Sequence, residues 1–521
     1  MSGHTRTVVA TTFRAALGLA VCACAAPAPV VPSARVPQGT PIARDLVAGA
    51  LDAMGGEARI RAIHDVHMKA VESWASVEAS ERPEPPWNLN YSQTEQWLDY
   101  QRAAWRQDAT FASVSNGDDA WQPFSQIAAD GVSAVARDGQ LKPGAPVLLA
   151  DAAEQLRYQP YRLLLAAEAA TDLRSAGDEL LAGQANQIVA FHDAGMPIRI
   201  WIDGRTRRLT AAEIVHTMPD DAFWRIRGDV RDRLVFSQWT LHASGVWFAR
   251  QYDLIRAAIP YHTFIITSIE TNVATPAVFA IPDDVRAAYQ ATARGPASVP
   301  APGEKPIEEL SPGVWFAGAG RNALLIAQPG GAALVDAPIS DVYVARELEE
   351  AQHRFGKPAA TVVLTDHITP TLSGVREAAA RGLAIRVLDG NRGFVAGLLA
   401  APYTLAPDAL ARSGRTPKLE ALEAIATRTV LGDGPTRMEL IPMRGTLGER
   451  VLLVWLPAPR LLWVGSAITV GSDGHISPSR RAELDAVIAR EHLDVDRVVG
   501  AKLAPASWAS LRATPPDAAR H

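Results

Sequence analysis

The chain has 521 residues, of which 48% are hydrophobic and 21% are charged. That length and composition suit two domains with ordinary hydrophobic cores. The formal net charge of −5 and the pI of about 6.2 give no electrostatic case for binding nucleic acid.

Residues 1–25 have the features of an export signal. Arg6 and Arg14 accompany an apolar run over 15–26 that is too short to span a bilayer. Such signals are removed after small residues, and Ala25 provides a cleavage site. Cleavage there predicts a soluble protein exported to the periplasm.

The alternative fate is a lipoprotein. Residues 21–24, Val-Cys-Ala-Cys, form a loose lipobox that would place a lipid on Cys24 and the protein at the outer membrane. Cys22 and Cys24 are the two cysteines of the chain, so the mature domains are expected to hold no disulfide and no thiolate site. Residues 26–41 are rich in Pro and Ala and are predicted to form an extended tether.

Residues 42–291 are predicted to form an antiparallel β-rich domain. Helical spacing over 43–60 opens it, and a second helix is predicted at 154–167. Alternation between turn signals favours strands at 198–203, 209–216, 234–239, 246–252 and 263–269. The order of these elements resembles the region that precedes some bacterial metallo-β-lactamase-like proteins, which is in turn similar to the half-barrel of the periplasmic lipoprotein carrier. The resemblance implies a half-barrel that holds a lipophilic small molecule.

Tryptophan is concentrated in this β-rich domain. Nine of the 13 tryptophans lie there: Trp74, Trp87, Trp97, Trp105, Trp121, Trp201, Trp224, Trp239 and Trp247. Two roles stay open, because large rings fill a core between sheet and helices as well as they line a ligand pocket. His216 and His262 have no ligand spacing and are interpreted as structural or surface residues.

Residues 292–306 are predicted to be a linker, because Gly and Pro interrupt all periodicity there. The domain that follows, 307–521, has hairpin-like apolar segments, a predicted helix at 343–353 and a buried strand at 359–365. That strand leads into Thr-Asp-His-Ile-Thr-Pro-Thr-Leu-Ser-Gly, residues 365–374.

This order of elements resembles the metallo-β-lactamase superfamily. There an apolar strand ends in Thr-His-x-His-x-Asp-His-x-x-Gly, whose ligands converge on one or two metal ions. Asn322 and Asp336 match an Asn that ends a turn and an Asp that closes the strand beneath the metal. The resemblance implies an αββα sandwich, a zinc cofactor and hydrolase activity.

The metal ligands of that superfamily are missing from this sequence. Their seven positions are occupied by Asp366, Ile368, Pro370, Thr371, Gly445, Ser466 and Ala501. Zinc needs three or four nitrogen, sulfur or carboxylate ligands, and Asp366 is the sole residue of the seven that offers one. We therefore expect no metal and no other cofactor.

The other candidates for chemistry are few. Asp473 and His475 lie in a polar loop and are candidates for acid/base catalysis, although turns use the same residue types. Arg444 and Lys502 flank erased ligand positions and offer an anion site in place of the metal charge. The chain has no Gly-x-Ser-x-Gly elbow, phosphate loop or dinucleotide fingerprint.

The sequence therefore predicts an α+β protein, a half-barrel-like β domain followed by a metallo-β-lactamase-like αββα sandwich. The first functional hypothesis is a non-catalytic pseudoenzyme of the cell envelope that binds a lipophilic small molecule or an envelope protein. It would meet the membrane only through a lipid anchor. The alternative is a metallo-β-lactamase-like hydrolase of an ester, lactam or similar bond, with a divergent or rebuilt active site.

Overall fold

Two sets of sheets, one after the other along the chain, make up the fold. The computed structural model describes residues 43–113, 122–137, 139–292, 307–318, 320–415, 422–468 and 476–512. The predicted export signal with Cys24, the tether, nearly all of the linker, and the candidates Asp473 and His475 lie outside the described residues.

The first half contains five helices and fifteen strands among the described residues. The helices are α1 (Ala43–Ala53), α2 (Glu57–Arg61), α3 (Val147–Arg157), α4 (Pro160–Ala169) and α5 (Asp283–Thr292). The strands are β1 (Asp65–Ala75), β2 (Leu89–Asp99), β3 (Ala104–Ser113), β4 (Gln122–Ala129), β5 (Val132–Arg137), β6 (Gln140–Pro143), β7 (Arg174–Leu181), β8 (Gln184–Asp193), β9 (Met196–Asp203), β10 (Leu209–His216), β11 (Val230–Ser237), β12 (Thr240–Leu241), β13 (Trp247–Phe248), β14 (Gln251–Arg256) and β15 (Ile259–Thr271).

Thirteen of these strands form one antiparallel sheet. Its order is β6-β5-β4-β3-β2-β1-β15-β14-β11-β10-β9-β8-β7, and β12 and β13 pair separately as a short ribbon. Side chains alternate between the two faces of each strand, and one face packs against α1 and α4, with Leu46, Leu163 and Phe191 fully buried between them. This packing places α3 over the same face of the sheet.

The second half contains seven helices and thirteen strands among the described residues. The helices are α6 (Asp341–Phe355), α7 (Thr369–Leu372), α8 (Val375–Ala380), α9 (Arg392–Leu399), α10 (Ala409–Arg412), α11 (Pro478–Arg490) and α12 (Trp508–Arg512). The strands are β16 (Glu308–Ser311), β17 (Val314–Ala317), β18 (Ala323–Ile326), β19 (Ala332–Val335), β20 (Ala359–Leu364), β21 (Ala384–Leu388), β22 (Leu422–Ile425), β23 (Thr429–Leu431), β24 (Met438–Pro442), β25 (Leu452–Leu456), β26 (Leu461–Trp463), β27 (Arg497–Gly500) and β28 (Leu503–Ser507).

These strands form two sheets that pack face to face. One runs β16 to β22 in sequence order and the other β23 to β28. Val335, Val363, Val454 and Trp463 belong to the apolar layer between them. Separate apolar clusters join α6, α8 and α9 to the outer face of the first sheet, and α11 and α12 to that of the second. The result is four layers, helix, sheet, sheet and helix.

The prediction of mixed helices and strands with antiparallel sheets is confirmed, with local differences. The helix predicted at 154–167 is two helices, α3 and α4, because Pro160 starts a new helix and lacks the N–H that would continue the first. The strand predicted at 246–252 is divided between β13 and β14. None of the described helices combines the length and apolar character that crossing a bilayer requires.

The two halves contact each other directly. Ile226 is buried within the apolar cluster of the second half. Asp229 accepts hydrogen bonds from the backbone and hydroxyl of Thr404 at 2.8 and 2.6 Å. Gly228 has a φ of 68° and lies so close to the carbonyl of Pro402 that an added Cβ would overlap it. Side chains and backbone of both halves therefore share one packed joint.

Candidate functional site

Strand β20, which the resemblance predicts to lead into a metal-binding loop, ends in a buried polar cluster. Asp336 is 0% exposed and accepts hydrogen bonds from the backbone N–H and hydroxyl of Thr365, at 2.8 to 2.9 Å. Burial, and then the neighbouring carboxyl of Asp366, raise the pKa of Asp336 well above its usual value. Asp336 is therefore a buried, hydrogen-bonded support beneath the loop.

Asp366 is the one erased ligand position that retains a carboxyl group, and hydrogen bonds occupy it. It is 1% exposed. Its Oδ1 accepts from the backbone N–H of Ile368 at 2.9 Å and the hydroxyl of Thr371 at 2.6 Å, while its Oδ2 accepts from the backbone N–H of Ser466 at 3.0 Å. Three of the positions that match metal ligands, Ile368, Thr371 and Ser466, therefore surround a fourth, Asp366.

The other erased positions divide between this cluster and its surroundings. The backbone N–H of Ala501 donates to Gly465, the residue before Ser466, at 2.8 Å. Pro370 lies buried in α7, where its carbonyl accepts from Ile339 at 2.9 Å. An added Cβ at Gly445 would overlap the carboxyl group of Glu483. A histidine at Gly445 would therefore require the Glu483 side chain to move.

Besides the carboxyl groups of Asp336, Asp366 and Glu483, this end of the sandwich carries basic side chains. Burial lowers the pKa of Arg321, and the carboxyl group of Asp366 acts in the opposite direction. Burial and then the charge of Arg321 lower the pKa of Lys502, and Asp366 again acts in the opposite direction. Nη1 of Arg321 is buried and has no hydrogen-bond partner within the described part of the chain. Arg444 is exposed and donates to the carbonyl of Ala426 at 2.9 Å.

This donor set does not fit zinc. The two oxygens of Asp366 already accept three hydrogen bonds, and the nearby charged side chains are an arginine and a lysine, which repel a cation. His367 is adjacent in sequence, but its Nε2 donates to the carbonyl of Ser80 in the first half at 3.0 Å. Within the described ranges, no group of three or more His, Cys, Asp or Glu side chains is arranged to hold a metal ion.

A cavity of about 430 Å³ lies in the first half, between the large sheet and α3. Its aromatic and apolar lining is Met68, Trp74, Trp105, Phe124, Tyr158, Leu234, Tyr252, Leu254, Tyr261 and Phe264. Its polar lining is Glu72, Gln96, Gln107, Gln126, Asp151, Glu154, Gln155, Gln159, Asp232, Arg256 and His262. The strand residues occupy alternate positions, so a single face of the sheet forms the wall.

Two of the nine tryptophans of the β-rich domain line this cavity, and two others have different surroundings. Trp105 donates to Gln96 at 3.4 Å within the wall, and Trp74 has an edge contact with His262. Trp97 stacks on His67, and Trp201 is fully buried in a separate small cluster. Some of these tryptophans therefore line a cavity, and others pack away from it.

The polar side chains of the cavity were not found from the sequence. His216 and His262 were interpreted as structural or surface residues, yet His262 lines the cavity and His216 binds two of its acidic side chains, Glu154 and Asp232. Their partners come from distant segments of the chain, and no spacing motif connects them. The signal that existed was the run of polar residues at 90–96, a strand in which alternate polar residues are buried.

Comparisons with known proteins identify structural likeness alone. No family model matches the chain, and no curated protein does. Solved metallo-β-lactamases resemble part of it: one from Pontibacter korlensis at 16% identity and a TM-score of 0.31, covering 40% of this chain and 94% of that one. A metallo-β-lactamase from Erythrobacter litoralis has 16% identity and a TM-score of 0.29, and the match covers 39% of this chain and 90% of that one. Another, from Hirschia baltica, has 18% identity and a TM-score of 0.29, and the match covers 40% of this chain and 95% of that one.

Proposed function

We propose that this protein is a non-catalytic binder of a small amphiphilic organic molecule, held in the cavity between the large sheet and α3. The observation that carries this proposal is the cavity itself. Its volume of about 430 Å³ lies in the range of small-molecule sites, and apolar rings and polar groups share its walls. The second half is then a sandwich without metal chemistry, whose remaining carboxyl at Asp366 supports the loop.

The hydrogen bonds of Asp366 support the pseudoenzyme part of this proposal. In a catalytic metal site the ligand atoms bind the metal, and one coordination position stays open for water or substrate. The oxygens of Asp366 instead accept hydrogen bonds from Ile368, Thr371 and Ser466. The alternative, a hydrolase with a rebuilt site, would have to depend on Asp473 and His475, which lie outside the described residues. Contacts within the described part of the chain favour the binder.

The cavity is tested by filling it. Leu254 lies on β14 and lines the wall, so Leu254→Trp is expected to occupy space that a ligand needs. We expect decanol to bind the wild-type protein saturably and the variant at least about tenfold more weakly, a difference of about 1.4 kcal/mol. Isothermal titration calorimetry, with decanol below its solubility limit, measures both affinities.

The matched control is Leu241→Trp, because Leu241 is 59% exposed on the short β12–β13 ribbon and outside the cavity. It adds the same ring to the surface and should leave decanol binding unchanged. Equal affinity in the Leu254→Trp variant and the wild type would contradict the proposed site.

We also propose that the protein is exported, on the strength of the signal at 1–25. The chain in the cell envelope fraction should lack this segment. The Cys24→Ser variant separates the two routes: an acylated Cys24 would tether the wild type to membrane and the variant would be released, whereas cleavage after Ala25 leaves both soluble. Fractionation with intact-mass analysis measures this, and a full-length chain confined to the cytoplasm would refute export.

A further inference from the structure

The basic side chains around the cavity are already paired. Arg256 donates to both oxygens of Asp232, at 2.9 and 2.6 Å. His216 lies behind them, 3.1 Å from Asp232 and 3.2 Å from Glu154. Burial lowers the pKa of His216, but its hydrogen bonds with these two carboxyl groups raise it to about 9. Two cations and two carboxyl groups therefore balance one another on one side of the cavity.

The second basic wall position is paired as well. His262 on β15 places its Nε2 2.9 Å from Oε2 of Glu72 on β1. Oε1 of Glu72 also accepts from the side chain of Gln107 at 3.2 Å. No basic side chain among those that line the cavity is therefore left over for an anionic ligand.

Asp151 differs from the other acidic side chains of the cavity. It projects from α3 and has no ion pair and no hydrogen bond within the described part of the chain. Burial, and then repulsion from Glu154 and Asp221, raise its pKa to about 7, with Arg256 acting in the opposite direction. The titratable groups on the elements around it are Glu154 and Tyr158 on α3, Glu72 on β1, His216 on β10, Asp221 before β11, Asp232 on β11, Arg256 on β14, and Tyr261 and His262 on β15.

Two buried polar groups on the same sheet face also have no partner. Ser92 is 0% exposed and Asn90 is 8% exposed, and neither Oγ of Ser92 nor Oδ1 of Asn90 has a hydrogen-bond partner in the described structure. They lie directly opposite Glu72 and Trp74 in the β1–β2 pairing, so they share the face that lines the cavity. Leaving such atoms unpaired is unfavourable, so this face of the sheet carries polar groups that its own structure does not satisfy.

We propose that the ligand of this cavity carries an alkylammonium group, which pairs with Asp151 while its apolar part lies against the aromatic wall. This proposal rests on the proposed function and deepens it. An ammonium supplies the positive partner that Asp151 lacks among the residues that line the cavity. The rings of Trp74 and Trp105 line the same cavity, and aromatic rings attract a cation.

The test compares three probes of equal chain length: decylamine, decanol and decyl sulfate, each below its micellar concentration. Decylamine should bind the wild-type protein at least about tenfold more tightly than decanol. Decyl sulfate should bind more weakly than decanol, because the basic wall groups are engaged. Calorimetry on the full-length processed protein measures the three affinities.

The Asp151→Asn variant isolates the carboxyl group. We expect it to lose the preference for decylamine over decanol, and the ratio of the two affinities measured on the same protein is the readout. Asp52→Asn, which removes an exposed carboxyl of α1 away from the cavity, is the control for net charge and should change neither affinity. Circular dichroism confirms that both variants are folded.

The pH profile gives a second readout that a merely structural role would not move. Decylamine stays protonated between pH 6 and pH 8, since an alkyl amine has a pKa near that of lysine. Because the folded pKa of Asp151 is about 7, its charged fraction rises through this range. Wild-type affinity for decylamine should rise with it by up to about tenfold. The Asp151→Asn profile should be flat, which separates Asp151 from His262.

The outcomes distinguish the two proposals. If decanol binds, but decylamine has no advantage or Asp151→Asn keeps the advantage and the pH profile, the ammonium proposal is wrong and the cavity proposal stands. If no probe binds saturably at either pH, the cavity proposal fails with it. Tighter binding of decyl sulfate than of decylamine would also overturn the ammonium proposal.

Discussion

The Arg376→Met variant is expected to lose about 3–5 kcal/mol of unfolding free energy, because it removes one partner of a buried ion pair. Arg376 on α8 is 3% exposed. Its Nη2 donates to Asp408 at 3.1 Å, and its Nη1 donates to the carbonyls of Leu398 and Leu399 at 3.1 and 2.7 Å. Methionine keeps much of the volume and leaves a buried carboxyl group and two carbonyls without their donor.

The same guanidinium supports the joint between the two halves. Its central carbon lies 4.0 Å from the ring centre of Tyr403, and the hydroxyl of Tyr403 donates to the carbonyl of Arg225 in the first half at 3.2 Å. Asp408 also caps α10 by accepting from the backbone N–H of Ala411 at 2.8 Å. Loss of Arg376 therefore weakens a cap and a joint as well as an ion pair.

Urea unfolding followed by circular dichroism measures this loss. Arg381→Met is the matched control, because Arg381 follows α8 directly and its ion pairs with Glu377 and Glu349 are solvent-exposed on the arginine side. Such pairs contribute about 1 kcal/mol or less. Equal stability of the two variants would show that the buried pair is not a principal support. Adding Asp408→Asn to Arg376→Met should recover part of the loss, since it removes the uncompensated charge and keeps an oxygen that can cap α10 at Ala411.

Apolar periodicity was enough to predict much of the fold. The strand predicted at 209–216 is β10 with the same bounds, and the strand predicted at 359–365 is β20, one residue shorter. Both are apolar segments between turn signals, so their burial is visible in the sequence. The helix predicted at 343–353 extends from Asp341 to Phe355, because Ser340 caps its start and Gly356 adopts the left-handed conformation at its end.

The early strands of the large sheet could not be predicted in this way. Within β2, Tyr91 is 42% exposed while Ser92, its neighbour, is 0% exposed. A rule that places apolar side chains inside and polar ones outside would bury Tyr91 and expose Ser92, which is the reverse of their observed burial. The inner face here is polar because it forms the wall of the cavity. The residues that make the candidate site therefore remove the alternation of apolar and polar residues by which a strand is predicted.

The cluster around Asp366 was predictable by position and not by contact. Matching 365–374 to the metal motif brought Asp366, Ile368 and Thr371 to attention, and the structure places them in one hydrogen-bonded cluster. What the sequence could not supply is the identity of the donors. Two of the three are backbone N–H groups, whose direction depends on the conformation of the loop rather than on side-chain type.

The Asp366→Ala variant is expected to lose about 3–5 kcal/mol of unfolding free energy. Two buried backbone donors, on Ile368 and Ser466, lose their acceptor at once, and each unpaired donor costs about 1–3 kcal/mol. The hydroxyl of Thr371 also loses Asp366 but keeps the carbonyl of Ile368, at 2.7 Å, as an acceptor. Ser466→Ala is the control: the donor there is the backbone N–H, which alanine keeps, so the change should lie within about 0.5 kcal/mol. Urea unfolding of both variants measures the difference.

Metal content separates this supporting role of Asp366 from a ligand role. A protein purified without chelator should hold less than about a tenth of an equivalent of zinc, and a chelator should not shift its thermal midpoint, because no metal-binding energy is coupled to folding. If Asp366 were a ligand, Asp366→Ala would lower the metal content, and chelation would reproduce its loss of stability in the wild type. Stoichiometric zinc that Asp366→Ala removes would therefore refute the supporting role. A large destabilisation of Asp366→Ala in a metal-free protein, unchanged by chelator, is the expected result.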